Sequence, residues 1–129
     1  MNRFYTYLFL AALAAASCST RPQIDLQAHR GGAGLMPENT ISAMKNAIDL
    51  GEVNTLEFDL QISSDGQVVV SHDNYFHPRY STRPDGTLIQ KTDPKEYLYT
   101  MPYDSIAKYD VGMRPVEHWP SQTKVAEVK

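Results

Sequence analysis

Ile24-Asp25-Leu26-Gln27-Ala28-His29-Arg30-Gly31-Gly32-Ala33-Gly34 opens the part of the chain that decides its fold. The alternation from Ile24 to Ala28 reads as a strand that ends at His29, and the glycines after it read as a tight loop. A helix is expected next, with Pro37 in its first turn and Asn39 as its cap. Ile41, Met44, Ala47 and Ile48 recur at helical spacing and predict one apolar face, and Gly51 supplies the stop. Val53 to Ile62 predicts a second strand. Ser64-Asp65-Gly66 is a turn, and Val68-Val69-Val70 reads as a buried third strand running to His72.

Strand, helix and strand within about forty residues make a βα unit, which implies that the first two strands pair in parallel. Strands two and three are joined by only a few residues, so they form a hairpin unless Val53 to Ile62 bends or splits. From 74 to 103 the composition turns to prolines and tyrosines, and predicts a long irregular insertion suited to a lid. A short helical turn is expected over Asp104 to Tyr109. A further helix is expected from a cap at Ser121 or Thr123, with Val125 and Val128 facing inward.

The 129 residues begin with a secretory pattern: Arg3, an apolar run from Phe4 to Ala16, then Ser17-Cys18. The run is short of the roughly 20 residues a spanning helix needs. Ala15-Ala16-Ser17-Cys18 is similar to a lipobox, in which the cysteine is lipidated and becomes the mature N-terminus. Ala15 replaces the usual leucine, and Cys18 is the only cysteine, with no disulfide partner to explain it. The expected organisation is a signal over 1–17, a linker over 18–23 and one domain over 24–129. That makes an exported envelope protein, anchored to a membrane by lipid. Without Arg3, 11 basic residues face 15 acidic ones, a net charge of −4 with no basic clustering, so nucleic acid is excluded as a partner.

Three strand ends carry the candidate chemistry. Glu57 and Asp59, two apart on a strand, would share a face. Two carboxylates that close repel unless a cation or proton lies between them, and hard ions such as Ca²⁺ or Mg²⁺ prefer such oxygens. An exposed strand face carrying two acids is the plainer alternative. His29 and His72 titrate near neutrality and can move protons. The Arg30 guanidinium matches phosphate oxygens in a fork. His77 and His118 receive no role. A dinucleotide loop is rejected, because Pro37 stands where a third glycine is needed.

His29-Arg30-Gly31, Pro37-Glu38-Asn39-Thr40, Glu57-Phe58-Asp59-Leu60, Asp65-Gly66 and Val69-Val70-Ser71-His72-Asp73 resemble, in order and interval, the glycerophosphodiester phosphodiesterase family. A looser likeness continues through Tyr109-Asp110-Val111-Gly112 and 120–128. The resemblance implies a TIM-type (β/α)8 barrel of the phospholipase-C-like phosphodiesterase kind, and hydrolysis of a glycerophosphodiester to glycerol phosphate and an alcohol. By motif position, His29 and His72 would be the acid/base pair, Arg30 would bind phosphate, and Glu57 and Asp59 would hold Ca²⁺ or Mg²⁺. A further glutamate and a lysine of the family pattern have no counterpart here, and a closed barrel typically needs about 250 residues. The chain is therefore expected to be an incomplete N-terminal portion, inactive as it stands. A related phospholipid phosphodiesterase and a non-catalytic lipoprotein that binds phosphodiesters are the alternatives.

Overall fold

A computed structural model describes residues 24–127. Cys18, the signal pattern and Val128 lie outside the described residues. Strand β1 (Gln27–Ala28) runs into a 3-10 turn at His29–Gly31, followed by helix α1 (Ile41–Asp49) and strand β2 (Thr55–Leu56). β2 pairs in parallel with β1, Gln27 opposite Thr55 and Ala28 opposite Leu56, as a βα unit requires. β3 (Leu60–Ile62) and β4 (Val68–Val70) form a separate antiparallel hairpin, Gln61 opposite Val69. A 3-10 turn at Leu98–Thr100 and helix α2 (Tyr103–Ile106) complete the elements. Among the described residues no helix is long and apolar enough to cross a membrane.

The run expected to be one strand, Val53 to Ile62, is thus split. Its first half pairs with β1 and its second half with β4, and Glu57-Phe58-Asp59 is the step between them. The first half of the run serves the parallel pair and its second half the hairpin closed through residues 63–67. The break lets both pairings form.

Helix α1 starts one residue later than expected. Thr40 has extended dihedrals, and its hydroxyl accepts from the Ala43 N–H at 3.1 Å while donating to the Pro37 carbonyl at 2.7 Å. Asn39 is not the cap, because its side chain is engaged elsewhere. Gly51 ends the helix at φ +71°, a left-handed value that glycine adopts without steric cost. The predicted apolar face is only partly used. Ala43 and Ala47 are buried against the turn after β1, whereas Ile41 is 66% exposed and Ile48 62%. Val68 and Val70 likewise flank a single fully buried valine, Val69, so β4 is not buried throughout.

The main core comes from the segment read as a lid. Phe76, Tyr80, Ile89 and Leu98 are buried with Val69, Ile106, Tyr109, Val111 and Val116 in one cluster. Phe76 stacks on Tyr109 with ring centroids 3.8 Å apart. Backbone bonds from Phe76 N to Glu96 O and from Leu98 N to Asn74 O zip the two ends of the segment together. Its backbone is irregular as expected, but its large side chains fill the interior instead of covering a site. Leu98 is 1% exposed, so Leu98→Ala is expected to cost about 2–5 kcal/mol, as deleting a fully buried leucine side chain does. Urea unfolding of both proteins measures it, and a loss below 1 kcal/mol contradicts this account of the core.

The expected C-terminal helix is also corrected. The N–H groups of Thr123 and Val125 bond to the carbonyls of Leu35 and Gly112, and Val111 N bonds to Glu127 O. A helix would spend those groups on partners four residues away. The segment instead lies extended against the body, fixed by the buried Gln122 amide, which donates to Ala33 O and Met36 O.

Candidate active site

Parallel pairing of β1 and β2 delivers His29 and Glu57 side by side at the ends of two strands. Glu57 N donates to Ala28 O at 3.1 Å, and Gly31 N to Glu57 O at 2.9 Å. The Glu57 carboxylate then accepts from the Arg30 backbone N–H at 2.7 Å and lies 3.9 Å from His29 Nε2. Arg30 occupies left-handed space (φ 52°, ψ 38°), as does Asn39 (φ 56°). For a residue with a β-carbon this costs about 1–2 kcal/mol, and asparagine tolerates it best. The two are tied together by Asn39 N donating to Arg30 O at 2.8 Å. The strain is thus held where the candidate side chains converge.

The Arg30 guanidinium, 16% exposed, is gripped by carboxylates. Its NH1 donates to Glu38 Oε1 at 2.9 Å, and its Nε lies 3.9 Å from Asp59 Oδ2. The Asn39 amide locks Asp59 from both sides: Nδ2 donates to Oδ2 at 3.1 Å, and Oδ1 accepts from the Asp59 N–H at 3.2 Å. Glu38 in turn accepts from Arg79 NH2 at 3.1 Å through its other oxygen. His29, Arg30, Glu57 and Asp59 are therefore brought into one network. Glu38, Asn39 and Arg79 belong to it too, and sequence reasoning gave none of them a role there.

His72 stands at the edge of this network. Ser71 N donates to Asp59 O at 2.9 Å, which sets the end of β4 beside the carboxylate step. The imidazole itself meets Asp73, Nδ1 to Oδ1 at 3.5 Å, and Asp73 is anchored by the buried Tyr80 hydroxyl at 3.1 Å. Burial and the neighbouring Asp73 charge push the Tyr80 pKa far up, so this hydroxyl remains a donor.

Glu57 and Asp59 do not converge by strand alternation, since neither lies in a strand. Glu57 Oε1 and Asp59 Oδ1 take no hydrogen bond from a described residue, and hard oxygens of this kind suit a divalent cation. The two guanidiniums and three carboxylates of the network sum to −1 with neutral histidines, which also favours a cation. The set is a partial shell. Among the described residues no group of three or more acidic, histidine or cysteine side chains is placed to hold a metal. Arg30 Nε is buried without a hydrogen-bond partner, an unspent donor inside the cluster.

His77 sits nearby, its Nδ1 accepting from the Arg79 N–H at 3.0 Å. Burial, the largest influence, lowers its pKa, with Asp73 opposing and Arg79 adding to the shift. The unfolded chain therefore binds a proton on His77 more readily than the folded one. Stability is expected to be full above pH 6.5 and to decline as pH falls below it. Thermal unfolding of the protein and of His77→Gln checks this. The variant should lose part of the decline between pH 7.5 and 5.5, and parallel curves would show that His77 contributes nothing to it.

The profile of the Glycerophosphoryl diester phosphodiesterase family matches residues 29–127. A glycerophosphodiester phosphodiesterase of Caldanaerobacter subterraneus subsp. tengcongensis is 33% identical over 67% of this chain and 30% of its own length. The human lysophospholipase D GDPD1 is 40% identical over 67% of this chain and 24% of its own. Among solved structures, a Silicibacter pomeroyi protein described as a glycerophosphoryl diester phosphodiesterase aligns at TM-score 0.74 and 27% identity, over 81% of this chain and 36% of that one. An Oleispira antarctica phosphodiesterase, solved in complex with the product sn-glycerol-3-phosphate, aligns at TM-score 0.55 and 26% identity over the same shares. The chain thus spans about a quarter to a third of the length of these curated relatives, and what is described is a portion of their α/β barrel.

Proposed function

The chain belongs to the glycerophosphoryl diester phosphodiesterase family, and on that premise we propose that the protein hydrolyses glycerophosphodiesters to glycerol phosphate and an alcohol with the help of a divalent cation, Ca²⁺ or Mg²⁺. The observation that carries this reading is the network at the ends of β1 and β2. It gathers a histidine, a guanidinium with an unspent buried donor and two carboxylates with open oxygens.

In this reading Arg30 takes the phosphodiester anion, turning its guanidinium from Glu38 and Asp59 toward the phosphoryl oxygens. His29 and His72 move the two protons that hydrolysis requires, one removed from the water that attacks phosphorus and one given to the alkoxide that departs as its P–O bond breaks. Glu57 lies 3.9 Å from His29 and Asp73 3.5 Å from His72, so each imidazole has a carboxylate placed to orient it. Glu57 and Asp59 would hold the cation, which when bound offsets charge on the phosphoryl oxygens. Asn39 keeps the Asp59 carboxylate aimed by holding one of its oxygens and its backbone N–H.

The 129 residues alone are read as inactive, because among the described residues no group of three or more acidic, histidine or cysteine side chains is placed to hold a cation. Cys18 is read as the lipid anchor of an exported envelope protein, with replacement of Cys18 by serine releasing it from membranes. The test of function is ³¹P NMR of glycerophosphocholine incubated with the full-length protein and Ca²⁺ or Mg²⁺. Glycerol phosphate should accumulate and a chelator should stop it. Lysophospholipid belongs in a parallel assay, because similar proteins are named lysophospholipase D. No turnover of either, with binding retained, favours a non-catalytic phosphodiester-binding protein. Turnover by the 129-residue chain itself overturns the inactive reading.

A further inference from the structure

Beside the network lies a cavity of about 890 Å³ whose walls include His77, Arg79, Lys91, Arg114, Glu117 and His118. That is the size of a small-molecule pocket, and its lining is unusually cationic. Three positively charged side chains and one carboxylate line it, and of the three Arg79 is paired with Glu38. Arg114 is fixed in place: its NH1 donates to the carbonyls of Ile89 at 2.9 Å and Ser81 at 3.3 Å. Those acceptors are neutral, so they orient the guanidinium without cancelling its charge. Neither Arg114 nor Lys91 has an ion-pair partner among the described residues. His77 accepts from Arg79 N at Nδ1, which leaves its Nε2 as a neutral N–H donor at neutral pH.

Glu38 connects this cavity to the candidate active site. One of its oxygens holds Arg30 and the other holds Arg79, which lines the cavity. The guanidinium proposed for the phosphodiester and the wall of the cavity are therefore no more than two hydrogen bonds and one carboxylate apart. Arg30 does not itself line the cavity, and it is the shared Glu38 carboxylate that sets the two side by side.

We infer that the cavity receives an anionic group, a carboxylate or a phosphate, carried on the alcohol half of the diester, and so makes the protein selective for acidic headgroups. The inference rests on the proposed hydrolysis and adds its substrate class. A cationic headgroup such as choline meets the unpaired charges of Lys91 and Arg114 as repulsion.

Glycerophosphoserine and glycerophosphoethanolamine differ only in the serine carboxylate, and make the matched pair for a test. With the full-length protein, kcat/KM is expected to be about tenfold higher for glycerophosphoserine, the scale of one charge-assisted hydrogen bond, with the difference in KM. Lys91→Glu should bring the ratio to one or below, and Lys91→Ala should move it the same way by a smaller step. Lys91 is exposed, so neither change disturbs the core. Trp119, the only tryptophan, packs against His118 and reports binding directly by fluorescence. Equal kcat/KM for the pair, with both hydrolysed, overturns the selectivity while leaving hydrolysis intact. If neither is hydrolysed but Trp119 reports tighter glycerophosphoserine binding that Lys91→Glu abolishes, hydrolysis fails and the anion pocket stands. No hydrolysis and no difference in binding overturns both.

Discussion

Alanine at either His29 or His72 lowers turnover of glycerophosphoserine by the full-length protein about 10²–10⁴-fold, the usual worth of a positioned proton-transfer group. The loss should fall on kcat more than on KM, since neither imidazole is proposed to hold the substrate. The two variants should then part company on an activated ester. Replacing the alcohol by p-nitrophenol gives a leaving group that needs no proton. The histidine that serves as acid becomes dispensable on that substrate, while the one serving as base does not. Steady-state rates of both variants on both esters decide the assignment. Equal losses on both esters would show that the histidines do not divide the two proton transfers. Full activity in either variant would remove that histidine from the chemistry.

How Asp73 enters is separable from this. It reaches His72 at 3.5 Å and is held by the Tyr80 hydroxyl, a geometry in which it can orient the imidazole. The neighbouring elements explain why only part of this was legible in the sequence. The βα unit was readable, because Ala28 to Gly31, the Thr40-to-Gly51 helix and Thr55-Leu56 obey local rules of alternation, capping and glycine punctuation. The break between Leu56 and Leu60 was readable only as an alternative, since the apolar alternation from Leu56 to Ile62 carries no mark of a change of partner. Nor did anything local reveal that Phe76, Tyr80, Ile89 and Leu98 make the core. They are spaced irregularly among prolines, and their burial depends on bridges between residues some twenty positions apart. Val125 looked like a helix residue because a few apolar positions near the end fit several periods, and the contact with Gly112 that fixes it is long-range.

The same limit hid the residue whose loss should harm the fold most. Glu38 sits in Pro37-Glu38-Asn39-Thr40 like an ordinary acid before a helix, yet its side chain is 8% exposed and shared between two guanidiniums. Burying a carboxylate costs several kcal/mol, which here is offset only because both oxygens accept charge-assisted bonds. Glu38→Ala leaves the Arg30 guanidinium, itself 16% exposed, without its main partner and with Nε already unsatisfied. The expected loss is about 3–5 kcal/mol, the cost of removing one member of a buried pair. Arg79 contributes less, since it is 43% exposed and water can replace the carboxylate there. Glu38→Gln keeps the volume and one acceptor oxygen, so it should lie between the parent and the alanine variant. Replacing Arg30 by methionine in the Glu38→Ala background removes the stranded charge. That double variant should recover a large part of the stability, although it cannot recover activity. Urea unfolding of the four proteins measures the cycle. A Glu38→Ala variant within 1 kcal/mol of the parent, or a double variant less stable than Glu38→Ala alone, would mean that Arg30 is hydrated where the structure has it paired. In that case the strain at φ 52° would have to be held by the Asn39–Arg30 backbone bond and the Glu57 contact instead.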